Sequence, residues 1–241
     1  SSTVSNTDGS ITSSVRANQT AGFSIVKFTS TNTNNATVGH GLTAAPEFIL
    51  IKNLDSSEFW WAIHKYMIAT PWNDSTLRLN TTDSTTGVYG TFNNVAPTSS
   101  VINLANTTTP APNKGTDDKI MYCFAPVEGF SAFGSYEGNG SSDGPFVYTG
   151  FRPRWIMIKS STLARGWKMY DAARDPINAC DNTLQANVSD AETTASGDRV
   201  DLLSNGFKIR TAGDEDNGSG DTYVYMAFAE NPFQANGGLA R

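Results

Sequence analysis

Charge, cysteine and histidine are all scarce in this chain. Of its 241 residues only 17% are charged, and there are two cysteines and two histidines. Two cysteines cannot build a disulfide framework, and together with two histidines they make a structural zinc site improbable. Basic residues are also short, 17 Lys and Arg against 23 Asp and Glu, for a net charge of −6. That balance argues against nucleic acid, because a polyanionic partner needs a basic face. No run approaches the roughly 18 apolar residues of a membrane span. The longest apolar strings, Phe48 to Ile51 and Trp155 to Ile158, have the length of strands. The sequence starts at Ser1 with neither an initiator Met nor a signal peptide, so the chain is expected to be cut from a longer one.

Small polar side chains fill the gap: Ser and Thr together number 52 and Asn 21. Such residues hydrogen-bond their own backbone in turns and suit strands joined by many loops. They do not suit helices, which favour Ala, Leu, Glu and Lys. Five Trp, eight Tyr and 13 Phe supply apolar area for a core, which excludes a disordered chain.

The sequence matches itself at a shift of 107 residues. Gly22-Phe23-Ser24 returns as Gly129-Phe130-Ser131, Pro46 as Pro153, and Phe48 as Trp155. Ile49, Ile51 and Lys52 return as Ile156, Ile158 and Lys159, and Trp60 as Trp167. Near the ends the shift falls to 104, where Cys123-Phe124-Ala125 meets Ala227-Phe228-Ala229. Matches of Ser or Asn are cheap in this composition, whereas Pro, Trp and an Ile-x-Ile-Lys string are not. The expected organisation is an N-terminal linker with one edge strand (1–21) and two homologous domains (22–128 and 129–241).

Each half reads as six or seven short strands separated by turn signals such as Asn139-Gly140, Asn205-Gly206 and Thr86-Gly87. Leu77/Leu79 and Phe207/Ile209 alternate as half-buried strands do. The fold class expected is all-β, as two tandem antiparallel β-sandwiches of jelly-roll type. One helical turn is expected within 171–195.

Several long strings carry a resemblance. Asn6-Thr7-Asp8-Gly9-Ser10-Ile11, Val38-Gly39-His40-Gly41-Leu42 and Tyr122-Cys123-Phe124-Ala125-Pro126 are similar to a β-rich domain of bacteriophage virion proteins. So are Gly144 to Pro153, Leu203-Ser204-Asn205-Gly206-Phe207-Lys208 and Ala227 to Phe233. Such domains occur in tail and fibre proteins of phages of aquatic bacteria. The resemblance implies a particle surface and contact with a host, and it supplies no catalytic residues.

Candidate sites follow from residue chemistry. His40 and His64 lack counterparts in the second half, and the ordinary reading of His40 is a strand-end histidine beside a turn. Asp214, Asp216 and Asp221 sit in a short acidic run whose alternating oxygens suit calcium, although the distal Glu of a full calcium loop is missing. A solvated hairpin loop is the plainer reading. Glu47, Glu58, Glu128, Glu137, Asp171 and Asp175 offer carboxylates, but no spacing singles out a glycosidase pair.

Residues present in one half alone are free for a separate task. Trp61, Trp72 and Tyr66 are such residues in the first half, and as exposed rings they would stack on sugars. Core or subunit-interface burial is the competing fate. In the second half Arg152, Arg154, Arg165 and Arg174 form a basic stretch suited to acidic glycans.

The expected function is a non-enzymatic virion structural protein of a tail fibre, spike or surface appendage. It would form a homo-oligomer (a trimer by analogy with fibres), contact other virion proteins and touch host-surface polysaccharide. No cofactor is expected beyond calcium. A carbohydrate-binding module or adhesin of a secreted bacterial protein is the first alternative, and a capsid decoration or filament protein without ligand the second.

Overall fold

The computed structural model describes residues 2–67, 75–85, 91–107, 111–194 and 199–232. Among them there is no helix, hence none long and apolar enough to cross a membrane. The chain divides into two compact units, 1–79 with 85–126 and 80–84 with 127–241.

The first unit contains β1 (Val4–Asn6), β2 (Ser13–Asn18), β3 (Phe23–Thr29), β4 (Ala36–Gly39), β5 (Phe48–Asn53), β6 (Trp60–His64), β7 (Leu77–Arg78), β8 (Val101–Leu104) and β9 (Asp118–Phe124). Seven strands form one antiparallel sheet in the order β1-β2-β3-β9-β5-β6-β7, and β4 pairs with β8 in a second, small sheet. Val38, Ile102 and Leu104 of the small sheet are fully buried, as are Val26, Ile49, Ile51 and Met121 of the large one.

The second unit contains β10 (Ser131–Glu137), β11 (Phe146–Tyr148), β12 (Pro153–Ser160), β13 (Lys168–Asp171), β14 (Asn182–Gln185), β15 (Thr193–Thr194), β16 (Val200–Leu203), β17 (Gly206–Ile209) and β18 (Thr222–Ala229). Its large sheet runs β10-β18-β12-β13-β14-β15 and its small sheet β11-β17-β16. One core joins the two sheets: Val147, Val200, Leu202, Phe207 and Ile209 pack with Ile156, Ile158, Tyr170, Tyr223 and Ala227. This is a sandwich-like arrangement of antiparallel sheets.

The recurrent residues occupy matching places. Phe48 pairs with Phe124 across β5 and β9, and Trp155 with Phe228 across β12 and β18. Their ring centroids lie 5.9 and 6.0 Å apart, the spacing of favourable cross-strand aromatic contacts. Gly22 and Gly129 both adopt positive φ, 62° and 70°, at the turn entering β3 and β10. That conformation explains why glycine recurs there. The Lys that ends each Ile-x-Ile-Lys string caps the following hairpin loop. Lys52 Nζ donates to the carbonyls of Asn53 (2.9 Å) and Ser56 (3.2 Å). Lys159 Nζ donates to those of Ser160 (2.6 Å) and Leu163 (3.4 Å), and to Thr82 O at 3.4 Å.

One expectation needs correction. Residues 2–21 are more than a linker with one edge strand: β1 and β2 extend the first unit's large sheet by two strands. Ser13 and Val15 face inward while Ser14 and Arg16 face out, and serine is small enough to serve either face, so composition hid the alternation. The 171–195 stretch holds strands β14 and β15. Its helical element is a single turn in which Asp175 N–H donates to Asp171 O at 3.0 Å. The Thr86-Gly87 turn signal lies outside the described residues.

Burial carries a measurable pH signature at Lys159. The side chain is 0% exposed, and burial pulls its amine from 10.5 down to about 8, with nearby Asp83 opposing the shift. Between those values the unfolded chain binds the extra proton, so this group's contribution to stability rises with pH. The buried Cys123 thiol, pushed up to about 12, and Cys180, pushed up to about 11, act in the opposite direction. Comparison with Lys159→Met cancels them. From pH 8 to pH 10 wild type should gain about 2 kcal/mol on that variant in urea unfolding. A constant difference would mean that Lys159 titrates normally.

Candidate functional site

The local chain direction places each expected site residue, and most prove structural. Trp61 lies on β6 opposite Ile51 and Arg78 and is 2% exposed. Its face therefore belongs to the core and is closed to sugar. Being unmatched in the second half reflects different packing rather than surface duty. Tyr66 is half-buried beyond the end of β6, its ring 6.0 Å from His64 with Lys65 Nζ 5.0 Å from the ring centre. Trp72 lies outside the described residues.

His40 bridges two loops: Leu42 N–H donates to its Nδ1 at 3.2 Å, and Nε2 lies 3.2 Å from Thr98 O. Burial lowers its pKa. The neutral form with the proton on Nε2 satisfies both contacts, so the histidine is a strand-end brace as the plainer reading holds.

The arginines do not gather as a free basic patch. Arg152 meets Glu230 at 3.0 Å, and Arg154 reaches both Glu230 (3.7 Å) and Asp171 (3.9 Å). Arg174 takes Asp171 at 3.8 Å and also Glu192. These residues form a chain, Arg152–Glu230–Arg154–Asp171–Arg174–Glu192, in which guanidinium and carboxylate alternate and cancel. Arg165 stands apart in a two-pronged pair with Asp214, a contact that raises its own pKa and holds the Asp214 carboxyl low. Counting basic residues along the sequence missed these acids because Glu192, Asp214 and Glu230 lie far downstream.

The acidic run 214–221 is not a solvated loop. Asp216 and Asn217 are both 0% exposed. Tyr170 Oη donates to Asp216 Oδ2 at 3.0 Å, Arg199 lies 3.2 Å from the same oxygen, and Tyr136 Oη donates to the Asp216 carbonyl at 2.7 Å. The Asn217 amide nitrogen, with two hydrogens to donate, lies within hydrogen-bonding distance of Asn139 Oδ1 (3.0 Å), Ser141 O (2.7 Å) and Thr211 O (2.8 Å). Burial raises the Asp216 carboxyl, while Arg199 and Tyr170 pull it back. Its Oδ1 has no hydrogen-bond partner among the described residues.

Asp221 Oδ1 instead accepts from Thr162 Oγ1 at 2.9 Å. Asp214, Asp216 and Asp221 thus serve three different partners. No group of three or more His, Cys, Asp or Glu among the described residues could hold a metal ion. The donors expected for calcium are spent on the fold, which pins this loop to the tyrosines of β10, β13 and β18.

The exposed feature that sequence reasoning missed is β11. Its three residues run out, in, out: Phe146 is 46% exposed, Val147 is buried in the core, and Tyr148 is 68% exposed. Both rings therefore stand on one face of the small sheet. Gly206 lets β17 approach β11 closely, since a β-carbon there would lie 2.1 Å from Val147 O and 3.1 Å from Phe146 Cζ. Lys208, opposite Phe146 on β17, is held by Asp143 at 2.8 Å and by Gly144 O at 2.8 Å. The Phe-Val-Tyr alternation between Gly144-Pro145 and Gly150 was the available signal.

A family model described as a domain of unknown function, DUF7483, matches residues 1–232, and the chain belongs to that family. No curated protein and no solved structure matches the chain. The match runs through both compact units without a break.

Two unfolding measurements test these placements. Trp61→Ala should cost about 3–5 kcal/mol, as other large core truncations do; an unchanged midpoint would return Trp61 to the surface. Asp216→Ala should cost about 2 kcal/mol by leaving the buried Tyr170 hydroxyl without its acceptor and Arg199 with Glu215 alone at 3.8 Å.

Proposed function

From the resemblance of its long sequence strings to a β-rich domain of virion proteins, we propose that the chain is a non-enzymatic structural component of a bacteriophage virion. It belongs to a tail fibre, spike or surface appendage, exposed on the particle outside the cell. It is built from two homologous sandwiches and associates with copies of itself and with other virion proteins. A trimer is the arrangement suggested by analogy with fibres. The observation that carries this reading is the matched pair of architectures: the strand order β3-β9-β5-β6-β7 of the first unit is repeated by β10-β18-β12-β13-β14 of the second. The matching lysine caps support the same duplication. Repeating one sandwich enlarges a packing surface without adding chemistry.

The polar groups support a structural role. Perturbed titratable groups often mark active sites, but the buried Asp216 and Lys159 have structural tasks. Asp216 anchors a loop, Lys159 caps a hairpin, and the alternating arginine–carboxylate chain presents a surface of little net charge. Contact with host polysaccharide would gain strength from many copies acting together.

A second reading is favoured by the exposed Phe146 and Tyr148 rings: a carbohydrate-binding module or adhesin of a secreted bacterial protein. A capsid decoration or filament protein without ligand would use neither receptor nor sugar.

Antibodies raised against the purified chain should decorate intact phage particles in electron micrographs. Antibodies that label only secreted bacterial material would reverse the order of the first two readings. Incubation with host polysaccharide should leave its size profile unchanged; a shortened profile would restore an enzyme.

A further inference from the structure

The small sheets of the two units differ in how their outer edges are finished. In the first unit β4 has β8 on one side, and the N-terminal segment covers the other. Ile11 N–H donates to Thr37 O at 2.9 Å, and Thr37 N–H donates to Ser10 Oγ at 2.9 Å. Ser13 Oγ donates to Gly39 O at 2.9 Å. Asn6 packs so closely on Gly39 that a β-carbon there would overlap its amide. The outward backbone groups of β4 are therefore sheathed by the chain's own first residues.

β11 is the corresponding strand of the second unit, following β10 as β4 follows β3 and lying at the end of its small sheet. Thr149 N–H bonds Asn205 O and Ile209 N–H bonds Pro145 O. The odd-numbered residues of this stretch thus face β17. Strand alternation turns the N–H and C=O groups of Phe146 and Tyr148 away from β17. No strand pairs with that side among the described residues. Upstream, only residues 125–130 separate β9 from β10, too few to supply a second covering arm. An edge that no described strand covers, with large apolar side chains and no charge, is a template for another strand.

We propose that this edge pairs with itself: two copies of the chain join β11 to β11, antiparallel, about a two-fold axis at Val147. The register is self-complementary. Phe146 falls opposite the partner subunit's Tyr148, and Tyr148 opposite the partner subunit's Phe146. Both are outward-bonding residues, so each pair exchanges N–H···O bonds in both directions. The rings of each pair share one face at about 4.5–5.5 Å between β-carbons, the geometry of favourable cross-strand aromatic contacts. Val147, on the axis, keeps its side chain in the core of its own unit. A peptide of another sequence could add to the edge, but only a second copy brings this reciprocal ring pairing. The interface is isologous, and it is short, so association is weak and concentration-dependent. It is a two-fold contact in its own right, separate from the trimer suggested by analogy with fibres, and does not depend on the particle being a phage.

Sedimentation equilibrium of the full chain over a wide concentration range should show a reversible monomer–dimer equilibrium. Phe146→Lys and Tyr148→Lys, both at exposed positions, should each weaken it roughly tenfold or more. An equimolar mixture of F146C and Y148C chains should be trapped as a mixed covalent dimer by a short bis-maleimide, because the two new cysteines face each other across the axis at a separation too wide for a disulfide. This trapping decides the matter if a lysine variant fails to fold. A chain that stays monomeric overturns the proposal. So does a dimer or trimer that ignores the lysine variants and is not trapped. A monomeric chain whose binding to a glycan array is abolished by Tyr148→Lys would assign the rings to sugar instead, while antibody labelling of particles would still test the virion reading on its own.

Discussion

Backbone hydrogen bonding in each unit waits on the strand that comes last. β9 is inserted between β3 and β5, and β18 between β10 and β12. Until the last strand arrives, its neighbours have unpaired edges facing each other across a gap. A buried peptide group without a partner costs about as much as a lost hydrogen bond, so the large sheets form as wholes or not at all. The same strands carry the core: Met121 and Cys123 of β9, and Tyr223, Val224 and Ala227 of β18, are nearly or wholly inaccessible. Everything else in a unit, from aromatic rows to loop anchors, is placed relative to that central strand.

The buried polar groups make sense in this frame. Lys52 and Lys159 tie down the hairpin loops leaving β5 and β12, the direct neighbours of the central strands. Tyr223, on β18 itself, donates through Oη to Asp214 O at 2.6 Å and accepts from Gly218 N–H at 2.7 Å. The loop that precedes β18 is thereby fastened to the strand it delivers. Buried polar networks of this kind strengthen a unique arrangement when their members are satisfied. The single unpartnered oxygen of Asp216 is the exception beside an otherwise bonded set.

The all-β class and most strands were legible in the sequence because Ile, Val and aromatic residues mark them directly. β1 and β2 were not, because Ser13 and Ser14 look alike in sequence yet face opposite ways. Trp61 misled for a related reason: lacking a match at the 107-residue shift separates shared from unshared residues but says nothing about burial. The acidic run at 214–221 resembled solvent-exposed chemistry until Arg199, Tyr136 and Tyr170, distant in sequence, were seen with the adjacent Tyr223 to receive it. Ion pairs such as Arg174–Glu192 and Arg152–Glu230 depend on tertiary neighbours that no local spacing encodes. Phe146-Val147-Tyr148 was readable as alternation, but only the lack of a covering strand among the described residues gives that alternation meaning.

The position of the last strand also has a consequence during synthesis. The first unit can close once residue 124 is free to fold, while the second has yet to be made. The second cannot close until residue 229 is available. A chain cut between residues 124 and 222 therefore carries one finished unit attached to a stretch with its central strand missing and its apolar residues unsheltered. Such a product would be open to proteases and chaperones that the closed unit resists.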